Sequence, residues 1–182
     1  MLTSLVGSEM CIRDSSGTEL TGANYPKITQ MHISDAHIMD STTNDFNGCY
    51  YFLDTEGKLY RFGYNNYGQL GDGTTTNNYF NKQMPMSLFG GEKIVYITGT
   101  GYQYNCMYAI TETGKLWAWG RNADGQLGLG NTTQQTTPQH ITGVSGSLLE
   151  NKKVIHVIAS QRGNDVTRCW VCLLYTSPSP RD

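Results

Sequence analysis

The chain has 182 residues, a net charge of −2 and 15% charged residues, so its length suits one globular domain or at most two. Aromatic residues make up 11% of it, which excludes a disordered polyelectrolyte. The near-neutral charge argues against nucleic acid as a partner, and the absence of a long apolar run argues against a membrane-spanning segment.

Both ends of the chain read as foreign sequence. Residues 4–15 and 172–182 can be back-translated into the two strands of a transposase adapter used to prepare sequencing libraries. We therefore expect 1–15 and 172–182 to be adapter-like artefact and exclude them from the reasoning about the fold. Residues 16–26 are expected to be the end of a preceding repeat or a linker.

The sequence between these ends repeats itself. The segments GKLYRFGYNNYGQLGDG and GKLWAWGRNADGQLGLG begin at Gly57 and Gly114, and they agree at 10 of 17 positions without a gap. A lysine followed by Ile or Val precedes each unit, at Lys27, Lys93 and Lys153. The pattern predicts three units, the third of them truncated, over residues 27–92, 93–152 and 153–171.

The units differ in the segments that link their strands. The first unit carries extra residues over 34–48 relative to the second. A constant block with variable connections is typical of surface insertions on a fixed structural unit.

Each unit is predicted to be built from short β-strands. In the second unit, Ile94–Thr98 is rich in β-branched and aromatic residues, and Cys106–Thr111 and Lys115–Trp119 have the spacing of a hairpin. A weaker fourth strand is expected around Gln139–Val144. No helical periodicity of useful length occurs, so the sequence predicts an all-β chain of stacked four-stranded sheets.

The repeated glycines are predicted to serve tight turns rather than a phosphate-binding loop. Neither glycine run leads into a good helix start or into Gly-Lys-Ser/Thr. Leu70 and Leu127 are expected to point inward, and Gln69 and Gln126 to satisfy backbone groups of the loops. The full structural signature is Gly57, Gly63, Gly68, Gln69, Leu70, Gly71, Gly73, Gly114, Trp119, Gly120, Gly125, Gln126, Leu127, Gly128 and Gly130.

These blocks resemble the repeat of the regulator of chromosome condensation family. The resemblance covers most of residues 27–171 and rests on the aromatic-Gly pattern followed by Gly-Gln-Leu-Gly-x-Gly. It implies a β-propeller of about seven four-stranded blades. We therefore expect two to three four-stranded blades of an incomplete β-propeller, with blade faces exposed that a closed ring would bury.

No catalytic, cofactor-binding or metal-ligating residue is predicted. Cys49, Cys106 and Cys169 fall one to a unit, at strand positions that we take as equivalent, and they lack the spacing of zinc ligands. The four histidines follow no metal-ligand spacing, and no nucleophile elbow is present. We expect the cysteines to pack as small buried hydrophobes.

The loops provide the candidate binding residues. Tyr and Arg are enriched where proteins recognise proteins, and Asn is suited to loops. Solvated turns are the competing interpretation of the same residues. The candidates for partner binding are Tyr64, Tyr67, Tyr102, Arg121, Asn122 and Asp124.

Three functions fit the sequence. The first is a non-catalytic propeller scaffold that binds a protein partner of unknown identity. The second is guanine-nucleotide exchange on a small GTPase with chromatin docking, which only the family resemblance implies. The third is a microbial surface or secreted binding protein, which the charge-poor loops rich in Asn, Thr, Gln and Tyr favour.

Overall fold

The computed structural model of the chain describes residues 27–34, 48–100, 105–162 and 166–173, with side chains over 27–32, 48–100 and 105–159. The extra segment predicted over 34–48 lies almost entirely outside the described residues. The described part is built from β-strands and two short 3-10 helices, Met86–Phe89 and Ile141–Gly143. The prediction of an all-β chain is confirmed.

The strands form antiparallel sheets in which each strand pairs with its neighbour in sequence. The first sheet is β1 (Ile28–Ser34), β2 (Cys49–Asp54), β3 (Leu59–Gly63) and β4 (Asn78–Gln83). The second sheet is β5 (Ile94–Gly99), β6 (Cys106–Thr111), β7 (Leu116–Gly120) and β8 (Gln135–His140). A third pair is formed by β9 (Val154–Arg162) and β10 (Val166–Leu173).

The predicted hairpin of the second unit is present as β6 and β7, whereas the predicted fourth strand was misplaced. That strand is Gln135–His140, and the residues expected to form it continue into a 3-10 turn. Pro138 lies inside the strand and made it a poor candidate from sequence. Because β8 is the edge of its sheet, it can accommodate a proline that lacks a backbone donor.

The first core lies between the first and second sheets. Tyr51, Leu53 and Leu59 of the first sheet pack with Ile97 and Trp119 of the second in one buried cluster. The strands β2 and β3 of the first sheet alternate between buried and half-buried residues, as expected when one face is packed, whereas every residue of β6 is buried.

The second core lies between the second sheet and the third pair. Tyr108, Ile110 and Leu116 are buried with Val154 and Val157 of β9. The second sheet is thus covered on both faces. The hairpin turn is tied to the next unit as well, because Val154 donates its backbone N–H to the carbonyl of Gly114 at 2.9 Å.

The strand register corrects the expected equivalence of the third cysteine. Cys169 pairs with Ala159 in the third unit, as Met107 pairs with Gly99 in the second. Cys169 therefore corresponds to Met107 rather than to Cys106.

The first sheet carries an aromatic face opposite its core. Tyr50 and Phe62 stack with ring centroids 4.9 Å apart, and Phe52 lies 5.9 Å from Phe62. At the repeat offset, Tyr50 and Phe62 correspond to Met107 and Trp119, both fully buried in the first core. The aromatic face is only half-buried here, as expected for a blade face without a preceding blade.

Candidate protein-recognition face

Two long loops leave the sheets at the same end, one after β3 and one after β7. Each begins with a glycine at positive φ, Gly63 at 118° and Gly120 at 101°. A Cβ at these glycines would lie far inside van der Waals contact with the carbonyl oxygens of Gly48 and Asn105. Only glycine allows the chain to leave the strand this close to its neighbour.

A buried asparagine organises the first loop. The amide of Asn65 donates to the Thr74 and Thr76 carbonyls, each at 3.1 Å, and its carbonyl oxygen accepts the Leu70 N–H at 2.8 Å. It also donates to the Asp72 carboxylate at 3.1 Å. One side chain therefore holds four points of the loop together.

Asn122 does the same in the second loop. Its amide donates to the carbonyls of Asn131 at 2.9 Å and Thr133 at 3.0 Å, and its carbonyl oxygen accepts the Leu127 N–H at 3.0 Å. The two loops thus share one hydrogen-bond design despite their different surface residues.

The Gly-Gln-Leu-Gly turns behave as predicted. Gln69 accepts the Tyr67 N–H at 2.8 Å, and Gln126 accepts the Asp124 N–H at 2.9 Å. Leu70 and Leu127 are fully buried. The predictions of inward leucines and loop-satisfying glutamines are both confirmed.

A shared carbonyl ties the first loop to the second sheet. The backbone carbonyl oxygen of Gln69 accepts a hydrogen bond from the Tyr51 hydroxyl and another, at 2.8 Å, from the Trp119 indole N–H. The Gly73 N–H also donates to the Thr136 carbonyl of β8 at 2.9 Å. The loop is therefore fixed to two adjacent units at once and cannot swing as an independent lid.

Two of the predicted recognition residues are brought together on this end. The Arg121 guanidinium lies 5.5 Å from the centre of the Tyr67 ring, in cation–π geometry. Tyr64 accepts a hydrogen bond from the Asn66 amide nearby. Asp124 is exposed on the second loop. Tyr102 lies outside the described residues.

The structure corrects the assignment of Asn122. Its side chain has no exposed surface and its amide is used inside the loop, so it cannot present itself to a partner. Asn65, which sequence reasoning did not single out, has the same role. The signal was available, because both asparagines lie two residues after Gly63 and Gly120 in the repeat.

Burial shifts the pKa of two reactive side chains away from their usual values. Burial raises the pKa of the Cys106 thiol, which suppresses the nucleophilic thiolate. Burial lowers the pKa of His32 to about 4. Across the described residues, no group of three or more acidic, Cys or His side chains could hold a metal ion, and no helix is long and apolar enough to cross a membrane.

Comparison with known proteins identifies the family. The model of the Regulator of chromosome condensation (RCC1) repeat matches residues 56–106 and 113–164, together more than half of the chain. A second model of the same repeat matches residues 96–126. The chain belongs to the RCC1 repeat family.

Individual relatives are larger proteins. The chain is 30% identical over 122 residues to the ultraviolet-B receptor UVR8 of Arabidopsis thaliana, covering 66% of this chain and 26% of the receptor. It is 38% identical over 86 residues to the human X-linked retinitis pigmentosa GTPase regulator, covering 47% of this chain and 8% of that protein. The chain thus spans about a quarter or less of these relatives.

Solved structures show the same fold. Human WBSCR16 superposes with a TM-score of 0.58 at 18% identity, over 86% of this chain and 36% of its own. Prp20p of Saccharomyces cerevisiae superposes with a TM-score of 0.55 at 12% identity, over 76% of this chain and 30% of its own. The expectation of an incomplete β-propeller, with two complete four-stranded blades and part of a third, is confirmed.

Proposed function

We propose that the chain is part of a non-catalytic propeller scaffold that binds a protein partner through the loop end of its sheets. The supporting observation is the pair formed by Tyr67 and Arg121, which joins loops from two adjacent units on one surface. Tyr and Arg are the residue types that most often dominate the binding energy of protein interfaces.

The rigidity of these loops supports the same proposal. Asn65 and Asn122 fix each loop internally, and Gln69 fixes the first loop to Trp119 of the neighbouring sheet. A preorganised surface loses little conformational entropy when a partner binds, so more of its contact energy appears as affinity. The fixed interior also lets the exposed residues vary without changing the fold.

The experiment is a pair of matched tyrosine substitutions in the protein. Tyr67→Ala removes a half-buried side chain from the loop end, whereas Tyr60→Ala removes a half-buried one from the opposite end of the first sheet, where β3 pairs with Gln83. Partners captured by the wild type are identified by mass spectrometry, purified and titrated against each variant. We expect Tyr67→Ala to weaken a partner's Kd about tenfold or more, as for an interface hot spot, and Tyr60→Ala to leave it unchanged.

Equal Kd values for the Tyr67 variant and the wild type, across all purified partners, would contradict the proposal. Turnover of a substrate by the described repeats themselves would contradict the non-catalytic part.

A small GTPase is the second candidate partner. It is favoured by the likeness to a protein named as a GTPase regulator, and by the shared fold with Prp20p, whose structure was described with its binding properties to Gsp1p and histones. The test is release of a labelled guanine nucleotide from purified small GTPases. Faster release by wild type than by the Tyr67→Ala variant would support exchange activity, and an unchanged rate across the panel would exclude it for those GTPases.

A further inference from the structure

The described sheets stack one on the next, and the two internal junctions of the stack are built alike. At the junction of the first and second sheets, Tyr51 of β2 is buried in one cluster with Ile97 of β5. At the junction of the second sheet and the third pair, Tyr108 of β6 is buried in one cluster with Val157 of β9. Each junction thus sets the second strand of the earlier unit against the first strand of the later unit.

The strand register identifies the residues that hold the junction positions at the start of the stack. Met31 and Phe52 are partners across β1 and β2, and we call them the front pair. Their counterparts in the second unit, Ile97 and Ala109, are partners across β5 and β6 and are 1% and 0% exposed. Met31, by contrast, is 50% exposed, and Phe52 is only half-buried. The front pair therefore holds the position of a buried junction, and no sheet covers it among the described residues.

The same register identifies the residues at the other end of the stack. Ile158 is paired with Trp170 across β9 and β10, as Thr98 is paired with Tyr108 in the second unit. Trp170 thus holds the position of Tyr51 and Tyr108, which contribute to the core shared with the following unit. We call Ile158 and Trp170 the back pair.

The back pair is uncovered as the front pair is. Val157 is fully buried under the second sheet, whereas Ile158, which follows it on the opposite face of β9, is 47% exposed. The counterpart of Ile158 in the first unit is His32, and a Cβ at Gly99 of the second sheet would lie 2.9 Å from its Nε2. This position therefore contacts the next sheet where one is present, and no sheet follows β10 among the described residues.

We propose that the chain associates head to tail with further copies of itself, so that the back pair of one copy packs on the front pair of the next. The occupant is a second copy because one chain carries both halves of a junction that it already forms twice internally. Both pairs consist of apolar residues, and the net charge of −2 opposes association only weakly. The two halves differ, so each added copy leaves one free front and one free back, and the assembly grows into a ring or a filament.

The expected contact is small. The third unit has two described strands, so it can cover β1 and β2 of the next copy but not the outer half of that sheet. Met31 and Phe52 are bulkier than Ile97 and Ala109, and the flexible thioether of Met31 can adapt to the facing layer. Small interfaces are usually weak, so we expect reversible association that increases with protein concentration.

The test is analytical ultracentrifugation of the full chain over about a hundredfold range of concentration. Met31→Glu alters only the front pair and Ile158→Glu only the back pair. Each variant places a charge in an apolar contact and should weaken self-association about tenfold or more. Leu148→Glu is the matched control, because Leu148 is 94% exposed in the turn before β9 and belongs to neither pair. It should associate like the wild type.

Mixing the two glutamate variants distinguishes a head-to-tail contact from a symmetric one. The Met31 variant keeps an intact back and the Ile158 variant an intact front, so the mixture should form a dimer and nothing larger, although each variant alone is monomeric. Three results would overturn the proposal: a wild type that is monomeric at every concentration, an Ile158 variant that dimerises by itself, or a mixture that stays monomeric. If circular dichroism shows that a glutamate variant is unfolded, Met31→Gln and Ile158→Gln take its place and must give the same pattern.

Discussion

Replacing Asn65 with alanine should destabilise the protein by about 3 kcal/mol, because it removes the centre of the first loop. The substitution leaves the buried Leu70 N–H without its acceptor, which by itself costs about 1–3 kcal/mol. The donor bonds to the Thr74 and Thr76 carbonyls are lost as well, but both residues are exposed and water can replace them. The small void left by the side chain adds the remainder.

The neighbouring residue provides a matched control. Asn66 is exposed, and its amide donates a hydrogen bond to the Tyr64 hydroxyl. Asn66→Ala should change the free energy of unfolding by less than about 0.5 kcal/mol. Urea denaturation of both variants, followed by tryptophan fluorescence and circular dichroism, measures the difference. If Asn65→Ala unfolds at the same urea concentration as Asn66→Ala, the loop is not organised by this side chain.

Three further predictions concern stability. The Arg61 side chain is buried, and two of its nitrogens have no hydrogen-bond partner among the described residues. Arg61→Leu should therefore stabilise the protein by about 1–3 kcal/mol in urea denaturation. A loss of stability would show that the Arg61 charge is satisfied. Gly120→Ala should destabilise the protein by more than about 3 kcal/mol, because the new Cβ would collide with the Asn105 carbonyl. Gly130→Ala should cost only about 1 kcal/mol, because Gly130 is also at positive φ but lies in open space. Similar urea midpoints for the two variants would refute this. Because the pKa of His32 is lowered to about 4 in the folded state, its contribution to stability should be complete above pH 6.5 and be lost as the pH falls from 6.5 to 4; His32→Gln should flatten that part of the pH profile, and an unchanged slope would contradict the assignment.

The repeat itself was predictable from the sequence because its constraints are local. Gly63 and Gly120 occupy backbone conformations that other residues rarely adopt, so they recur with their spacing intact. Leu70 and Leu127 recur because each fills a closed space in its loop. These residues recur at a constant spacing, so comparison of the sequence with a shifted copy of itself finds them.

The features that the sequence analysis missed depend on side-chain contacts, within one loop for Asn122 and between two units for Tyr67. Asn122 looked like a surface residue because asparagine is common in exposed turns, yet its hydrogen bonds reach Asn131 and Thr133. The cation–π pair of Tyr67 and Arg121 joins residues of two units that only the stacking of the sheets brings together.

The most direct test of the central claim is a double-mutant cycle on Tyr67 and Arg121, measured as the Kd for a purified protein partner. If the loops of two adjacent units form one recognition surface, the single alanine substitutions and the double substitution should be non-additive by about 0.5–3 kcal/mol. Additive effects, or no effect of either substitution on Kd, would contradict the account.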